Sequence, residues 1–399
     1  MDKFSLRTGP AFIITAAFIG PGSLTVCALA GVDFGFELLW AVLFSCLITI
    51  FLQNIVAGLS HKYNLGLIEL LKKKVSSKSL KSFFIGYILL TIFFGNTAYQ
   101  AGNISGSLIG LNKLLEIITP EFSRLINPFL LLIIGVILIS IILKQNIKLL
   151  KTILGIAVLL MSVSFLIAAI LTKPNLNDLL YGFFIPRWRP ETWSTIVAVL
   201  GTTIVPYNLF LHAWLVKKER SKNINFDSFK KDTIIAVSFG GIISTSIVIA
   251  AAGANINELV SIDDLGTSLH NLYGQKSELF ISLGLFSAGL SSALTAPLAA
   301  AFIVQESLNE YSSKRKLQII VPILIIVSGL IFTFLDSNPF NLIRLAQILN
   351  GLMLPGITLF ISYLYFSVQK NSFDFKIRIF GLLLLFLFFT FLAFKILFL

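Results

Sequence analysis

Residues 11–26 read "AFIITAAFIGPGSLTV" and place Gly20-Pro21-Gly22-Ser23 inside an otherwise apolar run. Proline removes one backbone donor and clashes with the carbonyl four residues earlier, and glycine weakens a helix further. Unpaired backbone survives at membrane depth only where it is packed in protein or lines a wet cavity. In a membrane protein, the stretch therefore predicts an interrupted helix at a functional position.

The composition predicts such a protein. Of the 399 residues, 56% are hydrophobic and 13% are charged, against about 25% charged in a soluble domain. Apolar stretches of about 20 residues, the length that crosses a bilayer core, recur along the whole chain. We predict one all-α polytopic membrane domain over residues 1–399. Its eleven expected spans are 10–32, 36–60, 80–108, 127–143, 150–172, 192–216, 231–253, 278–306, 318–336, 340–368 and 376–398.

The formal net charge of +12 does not indicate nucleic-acid binding, because the basic residues lie in short loops beside the spans. Alternate loops hold 23 of the 31 Lys and Arg residues. The positive-inside rule then places the N-terminus in the cytoplasm and, with an odd number of spans, the C-terminus outside. We expect an integral protein of a bacterial inner or plasma membrane. The basic loops are 1–9, 61–81, 144–151, 217–231, 309–317 and 369–378.

The sixth span, "TIVAVLGTTIVPYNLFLHAWLV", also carries a proline near its centre. Gly20-Pro21-Gly22-Ser23-Leu24 and Val205-Pro206-Tyr207-Asn208-Leu209 share the pattern x-Pro-x-(small polar)-Leu. Two broken helices five spans apart predict a 5+5 inverted repeat with a substrate site between the breaks. The first repeat covers about 10–172, the second about 192–368, and the extra helix about 376–398.

The expected site is rich in neutral oxygen. All nineteen Asp and Glu residues fall in loops or near the ends of spans. The two breaks offer the side chains of Ser23, Asn208 and Thr202, together with carbonyls freed by Pro21 and Pro206. Hard divalent cations accept such ligands, whereas the helix N-termini at the breaks favour an anionic or polar solute. Both possibilities stay open from the residues alone.

Three more groups lie within the predicted spans. His212 is either a proton acceptor or, as we favour, a hydrogen-bonded structural residue. Gln347 either places an amide oxygen in the cavity or bonds a neighbouring helix. Arg344 is expected to reach outward or to pair with an outer acid. The three histidines are His61, His212 and His270, and they form no hydrolytic cluster with a nucleophile, so we expect no enzyme.

Several stretches together resemble the Nramp family of proton-coupled divalent metal transporters, over about residues 9–368. They are "GPGSLTVCALAGVDFGFELLWAVLFSCLITIFLQ", "VPYNLFLHA", "AGLSSALTAPLAA" and "AQILNGLMLP". The resemblance implies a LeuT-type fold, alternating access, and a metal site between the broken first and sixth helices. It also implies that the Thr202 position supplies a carbonyl ligand and that Gln347 belongs to the site.

This chain departs from the family pattern at the functional positions. The family's Asp-Pro-Gly-Asn becomes Gly20-Pro21-Gly22-Ser23, so Gly20 replaces the metal-binding acid. Its Met-Pro-His becomes Val205-Pro206-Tyr207, which removes a soft thioether ligand and a histidine linked to proton movement. The family's proton-pathway acids of the third span align with Gln100 and Asn103, and His212 joins these former proton-pathway positions.

We therefore predict a secondary transporter of divalent metal ions of the Mn²⁺ or Mg²⁺ class, with family-type proton coupling weak or absent. The candidate site comprises Gly20, Ser23, Thr202, Val205, Asn208 and Gln347, with helix breaks at Pro21, Gly22 and Pro206. One alternative is a transporter of a neutral or anionic small solute. Another is a sensor or scaffold that does not transport. We expect no cofactor, and the partners are a small inorganic ion or polar solute and the lipid bilayer.

Overall fold

The computed structural model describes residues 19–119, 127–144, 148–220, 225–254, 259, 264, 266, 269–308, 314–335, 338–369 and 373–398. These residues form helices joined by short turns, which confirms the all-α prediction. In chain order the helices are α1 (Pro21–Phe34), α2 (Leu39–Tyr63), α3 (Leu67–Lys74), α4 (Lys78–Ile118), α5 (Asn127–Lys144), α6 (Lys148–Leu171), α7 (Leu176–Phe184), α8 (Trp193–Thr203), α9 (Pro206–Arg220), α10 (Phe226–Ala252), α11 (His270–Tyr273), α12 (Ser277–Leu308), α13 (Lys314–Leu335), α14 (Pro339–Val368) and α15 (Phe373–Phe398).

Eight segments of the described chain are long and apolar enough to cross a membrane. Three shorter apolar helices, Pro21–Phe34, Pro128–Leu143 and Val158–Leu171, fall within the other predicted spans. Residues 10–18 of the first predicted span lie outside the described residues, as do the predicted loop segments 1–9 and 309–313. The helices thus follow the predicted order of spans, while the total of eleven stays a prediction.

The predicted interruption of the sixth span lies between α8 and α9. α8 ends at Thr203, Ile204 has a non-helical backbone (φ −94°, ψ 62°), and α9 begins at Pro206. In the first span, α1 begins at Pro21, and Gly20 before it is extended (φ −131°, ψ −171°). Proline at the first helical position is favourable because its missing N–H has no intrahelical partner there. Both prolines therefore begin a helix at the centre of the molecule.

The backbones of α4 and α12 approach each other closely near the two helix breaks. A Cβ atom on Gly289 of α12 would overlap Ser107 and would lie 2.6 Å from the Asn103 carbonyl on α4. Farther along the same contact, a Cβ on Gly110 would lie 2.6 Å from the backbone nitrogen of Phe286. Small residues allow backbones to approach in this way within membranes. The small-residue stretch of the eighth predicted span therefore packs closely against α4.

Three short helices, α3, α7 and α11, lie between the predicted spans, where only loops are predicted. α7 follows α6, and α3 lies in the predicted cytoplasmic segment 61–81. In α3 the apolar residues are buried and the charged ones are half-buried or exposed, which makes it amphipathic despite its length of 8 residues. Tertiary packing stabilises such a short helix. The buried residues of α3 are Leu67, Ile68, Leu70 and Leu71.

Charged groups tie α3 to the ends of α9 and α12. Glu69 Oε2 lies 2.5 Å from Lys217 Nζ of α9, and it also accepts a hydrogen bond from the Gly66 N–H at 3.2 Å. Lys72 Nζ donates to the Glu306 carbonyl of α12 at 2.8 Å. Gly66 is in direct contact with the Glu306 carboxylate, where a Cβ atom would overlap it. α3 therefore joins two helices that lead away from the central site.

Candidate functional site

Gly20 faces α12. A Cβ atom at Gly20 would lie 2.8 Å from Ser292 Oγ and 3.8 Å from the hydroxyl of Tyr99 on α4. Ser292 is fully buried, and it lies near the middle of α12. The position at which the resemblance implies a metal-binding acid therefore adjoins a hydroxyl group from another helix.

The next two residues of the motif contact two further helices. Pro21 packs against Gly106 of α4 so closely that a Cβ on Gly106 would overlap the proline ring. The side-chain amide of Gln347 on α14 packs directly against Gly22, and a Cβ atom on Gly22 would displace that amide. Gly20, Pro21 and Gly22 thus face α12, α4 and α14 in turn. The break in the first span is the point at which these helices meet.

Ser23 bonds its own turn. Its hydroxyl accepts a hydrogen bond from the Gly20 N–H at 3.0 Å and donates to the Gly20 carbonyl, also at 3.0 Å. This pair closes the first turn of α1, as capping residues do. As a cargo ligand, Ser23 would have to give up one of these bonds.

The second break exposes backbone oxygen at Thr202. Pro206 has no N–H to donate to the Thr202 carbonyl, which lies four residues earlier. The Thr202 hydroxyl donates to the Val199 carbonyl at 2.7 Å, which fixes its orientation. Thr202 therefore offers its freed carbonyl oxygen as a candidate ligand. Val205 is buried beside it, and its carbonyl accepts the Asn208 N–H at 3.0 Å.

Gln347 joins the two breaks. Its side chain lies against Gly22, and its backbone carbonyl lies against Gly201 of α8, where a Cβ atom would overlap it. Its Oε1 atom is buried, and it accepts no hydrogen bond from the described residues. Of the two predicted roles, this geometry favours an oxygen that is available to a ligand.

Asn208 and His212 lie one helical turn apart on α9, and both are buried. Neither amide atom of Asn208 and neither ring nitrogen of His212 has a hydrogen-bond partner in the described structure. An unpaired buried polar group costs about 1–3 kcal/mol. The described residues therefore supply no hydrogen-bond partner for His212, and its predicted structural role stays a prediction.

The other former proton-pathway positions make contacts between helices. Gln100 Nε2 donates to the Ala293 carbonyl of α12 at 3.1 Å, while Asn103 Nδ2 has no described partner. The Tyr207 ring packs edge-on against Tyr99, with 5.6 Å between the ring centroids. Neutral amides and phenols thus occupy positions where the resemblance implies acids and a histidine.

The site is short of negative charge. Within the described ranges, no three His, Cys, Asp or Glu side chains come together. Arg344 donates to Ser194 Oγ of α8 at 2.7 Å and pairs with none of the described carboxylates, so the first of its two predicted roles, reaching outward, stays open. The candidate side chains are at most 3% exposed, so a ligand reaches them only if the surrounding helices move. They are Ser23, Thr202, Val205, Asn208 and Gln347.

Comparison with known families decides the membership of this chain. The model of the family described as "Natural resistance-associated macrophage protein-like" matches residues 11–397. The chain belongs to the Nramp family. It is 28% identical to a divalent metal cation transporter MntH of Bacillus subtilis, over 85% of this chain and 79% of that protein. It is 26% identical to the natural resistance-associated macrophage protein 2 homolog of Dictyostelium discoideum, over 89% of this chain, and spans 57% of that longer relative.

Solved structures support the fold of this Nramp protein. A manganese transporter of Eremococcus coleocola superposes with a TM-score of 0.72 at 17% identity, covering 96% of this chain and 84% of that one. MhsT, solved with L-phenylalanine, superposes with a TM-score of 0.60 at 17% identity, covering 98% and 99%. These likenesses confirm the predicted LeuT-type fold.

Membership confirms three further predictions about this Nramp protein. It is an integral membrane protein, since its long apolar helices accompany the family match. It belongs to a family of transporters and not of enzymes. The resemblance carried by the four quoted stretches was to the correct family. One site residue escaped the sequence analysis: Ser292 stands in "GLSSALTAP", where only its hydroxyl amid small residues distinguishes it.

Proposed function

We propose that this Nramp protein carries divalent metal ions across the membrane by alternating access, with Mn²⁺ or Mg²⁺ as cargo. The observation that carries the proposal is the meeting of both helix breaks at Gln347, through Gly22 on one side and Gly201 on the other. Carbonyl and amide oxygens suit hard cations, which tolerate partial hydration. Two of the named proteins are a divalent metal cation transporter and a manganese transporter, which supports the same class of cargo.

Valine at position 205 favours hard cargo. A thioether binds soft transition metals, and the buried Val205 side chain supplies no donor atom. The remaining candidate ligands are the Gln347 and Asn208 amides, the Thr202 carbonyl and, after exchange of its local bonds, Ser23. Because all of these are neutral, we expect weaker binding than an acidic site gives, and an ion that keeps part of its water shell.

Proton coupling of the family type is weak or absent in this proposal. Gln100 and Asn103 do not ionise, and the Gln100 amide is held in a hydrogen bond to Ala293. His212 remains as a titratable group near the site, yet no acid of the described chain hydrogen-bonds to it. Metal entry should therefore proceed with little acidification of the receiving side.

The test is uptake into proteoliposomes containing the purified protein, with Mn²⁺ and Mg²⁺ supplied separately and internal pH recorded. We expect saturable uptake of at least one ion and little change of internal pH. Gln347→Met keeps the volume but removes the amide oxygen, so KM should rise about tenfold, the value of one hydrogen bond to a charged group.

The matched control is Asn350→Leu, which removes another buried amide from the same helix. Asn350 Oδ1 faces α4, 3.5 Å from a Cβ built on Gly95, and so points away from both breaks. The KM of the Asn350→Leu variant should stay near that of the wild type. Failure of every divalent ion to enter, together with saturable uptake of an anion or polar solute, would overturn the proposal. Entry of one proton with each metal ion would contradict only the proposed absence of proton coupling, and not the proposed transport of metal.

A further inference from the structure

Helix α12 forms a wall of the cargo site beside the first break. Ser292 Oγ lies nearest to the place where a side chain at position 20 would begin, at 2.8 Å, while Ser292 Cβ lies 3.6 Å from that place. The approach is therefore made by the hydroxyl group. Ser292 is 0% exposed, so this hydroxyl points into the protein interior and not to lipid.

The position of Ser292 is fixed by bonds on the same stretch of α12. Gln100 Nε2 of α4 donates to the Ala293 carbonyl at 3.1 Å, and Asn96 Nδ2 donates to the Ala296 carbonyl at 2.9 Å. The contact of Gly289 with Ser107 holds the preceding turn. α12 consequently presents the Ser292 hydroxyl to Gly20 from a rigid backbone, as a binding group requires.

We propose that Ser292 is a cargo ligand and a specificity determinant, paired with Gly20. This inference rests on the proposed function. The absence of a side chain at position 20 leaves room for the hydroxyl, which stands where a carboxylate at that position would project. The pair replaces a charged ligand from α1 with a neutral ligand from α12. Cargo is thereby restricted to ions that bind hydroxyl, carbonyl and water oxygens without a fixed counter-charge.

Steric coupling between the two positions follows from the distances. A side chain added at Gly20 meets Ser292 Oγ at 2.8 Å, but it meets Ser292 Cβ at an ordinary contact distance of 3.6 Å. Removal of the hydroxyl therefore makes room for a carboxylate at position 20. Gly20→Asp alone should be poorly accommodated, while Gly20→Asp with Ser292→Ala should fold and bind divalent ions more tightly than the wild type.

The experiment measures Mn²⁺ and Mg²⁺ binding by calorimetry and uptake in proteoliposomes for Ser292→Ala, Ser292→Asp and the two Gly20→Asp variants. Ser291→Ala and Ser291→Asp are the matched controls, because the neighbouring Ser291 is directed elsewhere on the helix and is partly exposed. We expect Ser292→Ala to weaken binding of the transported ion about tenfold. Ser292→Asp should tighten it at least about tenfold by supplying a charge. The Ser291 variants should resemble the wild type.

The outcomes separate the two proposals. Wild-type protein that neither binds nor transports divalent ions contradicts the proposed function itself. Wild-type protein that transports them with unchanged KM in Ser292→Ala and in Ser292→Asp contradicts only the role of Ser292. The same holds if Gly20→Asp binds the ions equally well with and without Ser292→Ala, because the steric coupling would then be absent. Thermal unfolding of each variant shows whether it is folded.

Discussion

At the scale of single residues, glycine decides which groups reach the centre of this protein. Gly22 and Gly201 both make room for Gln347, but for different parts of it: Gly22 for the side-chain amide, and Gly201 for the backbone carbonyl. A side chain can choose another rotamer, whereas the backbone of a packed helix has little freedom to move. The two glycines should therefore respond differently to the same substitution.

Gly22→Ala should leave the protein folded and impair transport, because its methyl group displaces the movable amide of Gln347 from the site. Gly201→Ala should destabilise the fold by about 1–3 kcal/mol, as overpacking against a fixed backbone does. Thermal unfolding and uptake kinetics in proteoliposomes separate these effects. Gly155→Ala is the control, since nothing lies within 4 Å of a Cβ at that position. Equal loss of stability in the Gly22 and Gly201 variants would contradict the distinction.

The sequence predicts which residues meet at the site better than it predicts their bonds. Prolines at the same place in two spans indicate both breaks, because proline acts on the backbone whatever its surroundings. The local bond of Ser23 and the unpaired ring of His212 depend on neighbours in three dimensions, and so does the contact of Ser292 with Gly20. No periodicity or spacing encodes such contacts. The packing that buries short α3 is likewise absent from local propensity.

At the scale of helices, the contact between α4 and α12 holds polar groups that an acid would disturb. Asn96 and Gln100 lie one turn apart on α4 and each donates to a carbonyl of α12. Pro297 has no N–H to donate to the Ala293 carbonyl, so Gln100 pairs an acceptor that the helix leaves free. The Ala296 carbonyl, by contrast, accepts Asn96 with a second lone pair. An amide can donate in this position at any pH, but an ionised carboxylate cannot. Gln100, at a former proton-pathway position, and Asn96 one turn before it therefore hold two helices together.

Gln100→Glu should lower the thermal unfolding temperature near neutral pH, because the carboxylate would face the Ala293 carbonyl with no proton to donate. The expected cost is about 1–3 kcal/mol. Acidification should recover part of the loss, since a protonated carboxyl group donates again. Gln100→Met is the control that has no titratable group, and its deficit should not vary with pH. A Gln100→Glu protein as stable as the wild type at all pH values would argue against this hydrogen bond.

At the scale of the whole molecule, α3 connects the ends of α9 and α12. In Glu69, burial opposes ionisation, but the hydrogen bonds from Lys217 and from the Gly66 N–H outweigh it and lower the pKa of the carboxyl group. Lys72 is also affected, because burial lowers the pKa of its ammonium group despite the nearby Glu306. The bonds of ionised Glu69, the charged tie of α3, thus favour the state in which α3 is docked, while the burial of Lys72 opposes it. α9 begins at the second break, so movement there strains this tie.

Glu69→Gln should loosen this end of the protein and alter its response to pH. Because the folded-state pKa of Glu69 is lowered, its contribution is complete above the ordinary glutamate value of about 4.3. It is lost as pH falls through the lowered value. Unfolding temperatures of wild type and Glu69→Gln should therefore differ near neutral pH and converge in acid. Glu116→Gln, at an exposed contact with Lys113 of 3.5 Å, should have little effect at any pH. Parallel curves for wild type and Glu69→Gln would contradict the role of the tie.

The neutrality of the central site has an electrical consequence. A carrier with a fixed carboxylate returns empty with a negative charge, so the membrane potential acts on both halves of its cycle. Gly20 and the amides around it give the empty site of this protein no such charge. With a divalent cargo, two positive charges then cross in the loaded step alone, and an interior-negative potential of 100 mV contributes about 4.6 kcal/mol. That is roughly a thousandfold accumulation or more, so for the proposed function voltage would by itself suffice to drive uptake.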